Sequence, residues 1–345
     1  MIRWLAIVLG AALGVAGCVA PPMSEEYLAA YVAANRMERE NHPNEAAELY
    51  GKAAEVAGRP RLRWQATFLQ ARELENSGQR EAAAGLYLEI AESDPGSEMA
   101  SRGLYYAGRM AFEDGDLEKG LGLMRRVMHE YHEKGLAAQA VRRSVQQLRD
   151  KRGIAAAVAF LAEEEERLRG TDVGDTLLYH WARLEEERGD WQKSLERYER
   201  LVELYPYPHS GLYDDAMYEA GQLADEHGEP QRALGYLKAL VSWREDSIPT
   251  GTYYTVWTDD AQLLVGKIYL ERLGDPAAAA RAFEELATFP DSTLADDGLW
   301  WAAKAYLTRG EGRRACLKLR RLLEDFLYSN RQREARQKFL ELDCR

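Results

Sequence analysis

Apolar and polar positions alternate along this chain with helical spacing, and glycines interrupt the pattern at near-regular intervals. Gly78, Gly115, Gly153, Gly189, Gly228, Gly274 and Gly310 follow one another at spacings of 37, 38, 36, 39, 46 and 36 residues. Five residues beyond each glycine stands a mostly small or slim residue: Ala83, Gly120, Val158, Ser194, Ala233, Ala279 and Ala315. Nine beyond comes a large one, Tyr87, Met124, Tyr198, Leu237, Phe283 or Leu319, and only Gly153 breaks step, through Phe160 and Leu161. Seven before the glycine another small residue recurs, as Ala71, Gly108, Ala182, Gly221 and Ala303. Such stripes predict amphipathic helices, each glycine closing one helix in a left-handed conformation and a nearby acidic residue opening the next. Small residues on both helices let the backbones approach, and the large ones fill the layer around them.

The pattern predicts eight helix pairs, beginning with 27–40 against 44–56 and 61–76 against 80–91. The other six lie within 99–133, 135–169, 177–205, 213–243, 258–289 and 294–326. The fourth pair is expected to be distorted. A charged last helix, 331–343, suits a capping element that covers the final apolar face. No strands are apparent.

This arrangement resembles the tetratricopeptide repeat, whose first helix (A) carries a small residue before the turn and whose second (B) carries the Ala, the aromatic and a closing proline, here Pro95, Pro206 and Pro290. The resemblance runs from about Glu25 to Phe326 and implies an all-α solenoid, a right-handed superhelix that grips protein segments in grooves between helices. The period exceeds the usual ~34 residues, so the helices should be longer. A narrower likeness lies in the punctuation: Pro206 and Ser210 before Asp214-Asp215-Ala216, Pro290 and Ser292 before Asp296-Asp297, and a further Asp259-Asp260-Ala261. It is similar to the extended repeats of envelope lipoproteins, the BamD family of the outer-membrane assembly machine and the CpoB family of the Tol–Pal system. Physically, Ser210 and Ser292 suit N-caps and the Asp pairs suit the helix dipole. The alternative is an acidic ladder that receives basic peptide ends.

The N-terminus adds a location. Arg3, an apolar run from Trp4 to Val15 and small residues before Cys18 describe an export signal too short to span a membrane comfortably. Val15-Ala16-Gly17-Cys18 resembles a bacterial lipobox, which implies removal of residues 1–17 and lipidation of Cys18. Domain boundaries follow: a signal peptide at 1–17, a lipidated linker at 18–24, the repeat array at 25–327 and the cap at 328–345. The absence of Asp after Cys18 implies, by the sorting rule of such lipoproteins, an outer-membrane protein facing the periplasm.

Composition then narrows the function. The formal charge is −12, and no Lys/Arg run is interleaved with aromatics, which argues against nucleic acid. Membrane contact is expected through the lipid. Besides Cys18 the chain has only Cys316 and Cys344. A return through Tyr328-Ser329-Asn330 would bring these two together, so a bridge and two separate thiols both stand open. His129-Glu130-Tyr131-His132 has the wrong spacing for a zinc-protease helix and reads as a helix end. Glu163 to Glu166 with Arg167 and Arg169 reads as a solvated face with pairs at four-residue spacing. No catalytic, metal or cofactor set emerges, and the expected partners are envelope proteins or peptide segments. The long interval between Gly228 and Gly274 implies an insertion near 247–257. Its Tyr253, Tyr254 and Trp257 either contact a partner or plug a seam between repeats, and Trp301 of Trp300-Trp301 is a second candidate contact. The reading is a non-catalytic scaffold supporting an envelope assembly, with a pilus or secretion accessory as the alternative and, behind it, a superhelical module of a peptidoglycan-processing system.

Overall fold

The computed structural model describes residues 23–133, 135–242, 245–247, 251–253, 255–289 and 292–344. Cys18, Tyr254 and Pro290 lie outside these. The chain divides into two compact units, Met1–Met110 and Ala111–Arg345.

The first unit contains α1 (Glu25–Arg39), α2 (Pro43–Glu55), α3 (Pro60–Asn76), α4 (Arg80–Ser93) and most of α5 (Glu98–Glu113). Tyr50, Tyr87, Ala46, Ala71 and Ala83 are fully buried, so the predicted small and large layers are present. Gly103 shows why one layer must be small: a β-carbon there would collide with the backbone carbonyl of Tyr87.

The second unit pairs α6 (Leu117–Glu130), α7 (Gly135–Arg152) with α8 (Ile154–Leu168), α9 (Gly174–Glu187) with α10 (Trp191–Leu204), and α11 (Tyr213–Glu226) with α12 (Pro230–Ser242). It continues through α13 (Thr258–Lys267), extended by a π-helical turn over Ile268–Arg272, to α14 (Pro276–Leu286), α15 (Ala295–Thr308), α16 (Gly312–Asp325) and α17 (Gln332–Glu341). Met124, Tyr198, Leu237, Phe283 and Leu319 form the repeating apolar layer, all fully buried. The fold is an all-α solenoid of helix hairpins, and α17 covers the last of them.

Each of the seven punctuating glycines adopts positive φ, from 61° to 87°, and Asn41 at 60° takes the same role in the first hairpin. Asp116, Asp190 and Asp275 cap the following helix, accepting from the N–H of Lys119, Lys193 and Ala278. The fourth hairpin departs as expected, for a simple reason. Only Gly153 separates α7 from α8, where the other glycine turns use more residues, so the register advances by one and Ala157 and Leu161 take the buried positions.

Three expectations need correction. A short antiparallel ribbon, β1 (Glu245–Ser247) with β2 (Gly251–Tyr253), occupies the insertion, where no strand was expected. Neither Ser210 nor Ser292 is an N-cap; Leu212 and Leu294 hold those positions. The Glu163–Glu166 run is a solvated face only at Glu163 and Glu166, and its expected four-residue pairs are replaced by others. Glu164 is only 2% exposed, and it accepts from Arg125 at 2.6 Å and meets His129 at 2.5 Å, both on the preceding repeat. Glu163 also pairs with Arg125, Glu165 pairs with Arg200 at 2.7 Å, and Glu166 with Arg169 at 2.9 Å.

The serines instead latch successive repeats. Ser210 donates to Asp175 at 2.7 Å while its oxygen accepts the Leu212 N–H at 2.9 Å. Thr255 does the same for Asp214, at 2.6 Å, and Ser292 for Asp259, at 2.7 Å. Two of the three second members are engaged too: Asp215 accepts from the Trp257 indole at 2.7 Å and Asp297 from Arg331 at 2.8 Å. The Asp pairs stand in the first turns of their helices as expected, and Asp214, Asp215, Asp259 and Asp297 also bond to the neighbouring hairpin or the cap.

Candidate functional site

Two grooves open on helix-A surfaces, one within each unit. In the first unit such a groove of about 780 Å³ lies among α1, α3 and α5. Its floor is aromatic. Trp64 and Phe68 are mostly buried, and Phe68 packs edge-on against Tyr106 with ring centroids 5.1 Å apart. Cations border it: the Arg63 guanidinium lies 5.0 Å from the Trp64 ring, and that of Arg102 lies 6.0 Å from Phe68. Arg72 is held by Glu38 at 2.5 Å, and Arg102 by Glu98 at 3.0 Å. Exposed Arg61 has no carboxylate partner among the described residues.

In the second unit a groove of about 560 Å³ runs between α7 and α9. Arg142, Val145 and Arg149 share one face of α7 by their three- and four-residue spacing, and His180, Arg183 and Leu184 face them from α9. Arg183 is paired with Glu219 at 2.9 Å, and Arg149 meets Glu187 at 3.4 Å. Arg142 has no carboxylate partner among the described residues. Burial, and then the positive charges of Arg142 and Arg183, push the His180 imidazole down to about 4, so it lines the groove as a neutral ring at physiological pH. Together these side chains offer apolar floor, aromatic faces and forked cationic donors. With Asp94 and Glu98 in one groove and Glu186 and Glu187 in the other, each keeps a cationic excess of one, which suits an extended or helical protein segment carrying a carboxylate.

A further depression of about 520 Å³ lies on the other side, among α12, α13 and α14. Its polar walls bond to each other. Gln262 donates to the Ala282 carbonyl at 2.9 Å and to Glu285 at 3.1 Å.

The contacts expected from the insertion divide. The Trp257 ring stacks on Tyr218 with centroids 4.3 Å apart and planes 8° from parallel, and its indole N–H is used by Asp215, so this residue plugs the seam between the sixth and seventh repeats. Tyr253 ends β2. Trp301 is half-buried on α15, stacked near Phe283 at 5.9 Å and covered by the Lys304 and Lys267 ammonium groups at 3.9 and 5.4 Å. Cys316 and Cys344, with Cα atoms 5.4 Å apart, form a disulfide that ties α16 to the segment after α17. Among the described residues no His, Cys, Asp or Glu cluster could hold a metal, and no helix is long and apolar enough to cross a membrane.

The groove residues were missed because each looks ordinary alone. Their signal lay in the stripe Arg142, Val145 and Arg149, three and four residues apart, on a helix with one acidic residue in an otherwise acidic chain.

Comparison with known proteins matches parts of the repeat array to one kind of repeat. Residues 68–131 and 179–247 match one tetratricopeptide-repeat description, and 260–292 match a second. Those segments carry tetratricopeptide repeats. Repeats of this kind indicate a scaffold for protein–protein interaction. No curated protein matches this sequence. Among solved structures the repeat array is similar to a tetratricopeptide repeat protein from Parabacteroides merdae at 15% identity, over 81% of this chain and 99% of that one, with a TM-score of 0.37. It is also similar to YrrB, described as a repeat protein with an unusual peptide-binding site, at 14% identity over 62% and 97% with a TM-score of 0.42. A third is PilF of Pseudomonas aeruginosa, at 14% over 63% and 90% with a TM-score of 0.35.

Proposed function

We propose that this protein is a lipid-anchored, non-catalytic scaffold of the bacterial cell envelope, which holds segments of other envelope proteins in the grooves between its A helices. The observation that carries the proposal is the recurrence of an open, cation-bordered groove with an apolar floor on helix-A surfaces in both units. Grooves of this size accept side chains from a bound segment, and affinity comes from burying those anchors. Anchoring rests on Val15-Ala16-Gly17-Cys18. One acyl chain gives marginal membrane residence, whereas the two or three of a mature lipoprotein hold firmly. An outer-membrane position facing the periplasm is the destination this signal favours, and the Cys316–Cys344 disulfide suits an oxidising compartment. In that setting the grooves would serve assembly of outer-membrane proteins or coordination of the Tol–Pal system.

Photo-crosslinking from intact envelopes tests the binding half. A photoreactive residue at Gln65 or Gln146, both groove-lining, should capture specific envelope proteins, and one at exposed Glu196 on α10 should not. β-Barrel precursors in the adducts would assign the protein to outer-membrane assembly, and pilins to a pilus. Equal capture from Glu196 would contradict the groove reading. The intact mass of the detergent-extracted protein tests the anchor, which predicts a chain starting at an acylated Cys18; an unmodified Met1 start would contradict it.

A further inference from the structure

Charge is unevenly distributed along the chain. Residues 312–345 hold ten Lys and Arg against five Asp and Glu, a formal +5, while the remainder holds 35 against 52, a formal −17. Eight of the ten cations are arginines. They sit on and around α16 and α17, and many are already used. Arg314 meets Glu311 at 2.9 Å, Lys318 meets Glu284 at 2.6 Å, Arg331 meets Asp297 at 2.8 Å and Lys338 meets Glu341 at 2.7 Å. Arg313, Arg333 and Arg336 are exposed and have no carboxylate partner among the described residues.

Exposed apolar side chains accompany these arginines on the same helices. Leu317, one helical turn from Arg313, is 60% exposed, and Leu340, one turn from Arg336, is 73% exposed. Tyr328, in the turn between the helices, is 99% exposed. Capping alone does not call for this. A cap must cover Ala315, Leu319 and Leu322, which it does, and its outer face should then be polar. The two helices are also locked together. The disulfide joins their far ends, the Arg320 guanidinium lies 6.0 Å from the Phe339 ring, and the Gln332 amide donates to the carbonyls of Leu323 and Phe326 at 3.2 and 2.9 Å. Fixed geometry lowers the entropic cost of using a surface for recognition.

We infer that the outward face of α16 and α17 is a second docking surface, separate from the grooves, for an acid-rich segment of a partner protein. Charge complementarity selects the partner. Arginine forks bind carboxylates in pairs, and arginine with tyrosine and leucine is the composition of a protein interface more than of a lysine-rich lipid-binding patch. Carboxylates of the partner meet Arg313, Arg333 and Arg336, and its apolar side chains rest on Leu317 and Leu340. The surface does not depend on what the helix-A grooves bind.

The test uses the mature, disulfide-intact protein and a fluorescein-labelled peptide of alternating glutamates and leucines, followed by anisotropy at low and moderate salt. Wild type should bind, more weakly as salt rises, because exposed charges are screened. Arg313→Glu, Arg333→Glu and Arg336→Glu combined should lose tenfold or more in affinity with unchanged circular dichroism. The corresponding three lysine substitutions should lose several-fold although the charge is kept, and Leu317→Ala with Leu340→Ala should lose several-fold as well. Lys52→Glu, exposed on α2 outside both the grooves and the cap, should change nothing, and any binding that Arg142→Glu removes belongs to the groove between α7 and α9. Failure of the peptide to bind, or equal binding by the charge-reversed triple variant, would overturn the inference. So would preferential flotation with vesicles containing phosphatidylglycerol, which would make the ligand a lipid surface. Concentration-dependent self-association lost in the triple variant would make it a second copy of the chain.

Discussion

The early repeats are stitched at one end of helix A by ion pairs, whereas the late repeats keep a pair of that kind, Arg272 with Asp225 at 3.1 Å, and add hydroxyl–carboxylate bonds at the other end. In the first unit Arg72 reaches back to Glu38 and Arg109 to Glu75, each 34 residues earlier, so charge-assisted pairs close the ends of the A helices. From the fifth repeat onward a hydroxyl just before one A helix bonds to an aspartate at the start of the previous one: Ser210 to Asp175, Thr255 to Asp214, Ser292 to Asp259. These hydroxyl latches span 35, 41 and 33 residues. The longest spans the insertion, yet its geometry matches the others. What is held is the latch, not the repeat length, and extra residues are looped out before it as the ribbon of β1 and β2. Hydroxyl to carboxylate bonds such as Ser210 with Asp175, both buried, are less exposed to salt than the partly exposed ion pairs, so the two kinds of stitch should respond differently to the same perturbation.

The largest difference should come from Asp175→Ala. It removes the acceptor for Ser210 and Thr176 in a buried seam, and should cost about 3 kcal/mol in chemical denaturation because it strands a buried hydroxyl. Loss below about 1 kcal/mol would show that the latch is incidental. Thr255→Ala, at the seam that carries the insertion, should cost about 1–2 kcal/mol and raise hydrogen exchange in the α11–α13 region first. Glu38→Gln should cost no more than about 1 kcal/mol, since its pair with Arg72 is about one-third exposed, Arg72 keeps Glu73, and the amide oxygen can still accept from Tyr50. Raising NaCl to about 1 M should speed exchange around Glu38 and Glu75 while leaving the Ser210 and Ser292 seams unmoved.

The smallest effect is local to one ring. His180, held down to about 4, has a folded pKa below its unfolded value, so its contribution to stability is complete above about 6.5 and is lost as pH falls toward about 4. Its NMR titration should centre near 4. Arg142→Ala should move it only part of the way back, because burial is the larger cause and Arg183 remains.

The hairpins were legible because their information is local. Gly78 and Gly115 mark turns, and Ala83 with Tyr87 marks one helix face, all within a dozen residues. Seams were not, since Ser210 and Asp175 lie a full repeat apart and each has a plausible local role as a cap or first-turn acid. Glu164 was misread for the same reason. In sequence it belongs to a charge run; in space it is covered by Arg125 and His129 of the previous hairpin. Trp257 and the groove residues divide likewise. An aromatic in an insertion looks free until Tyr218 and Asp215 are seen to claim it, whereas Arg142 and His180, inconspicuous in their own helices, face each other across a groove.

Hydrogen–deuterium exchange on the mature protein, with and without a partner segment captured from the envelope, tests the central claim most directly. Binding in the helix-A grooves predicts protection over residues 61–72 of α3 and over the facing stretches 142–149 and 180–187 of α7 and α9, with helices α4 and α10 unchanged. Protection confined to the B helices, with those stretches unaltered, would contradict it.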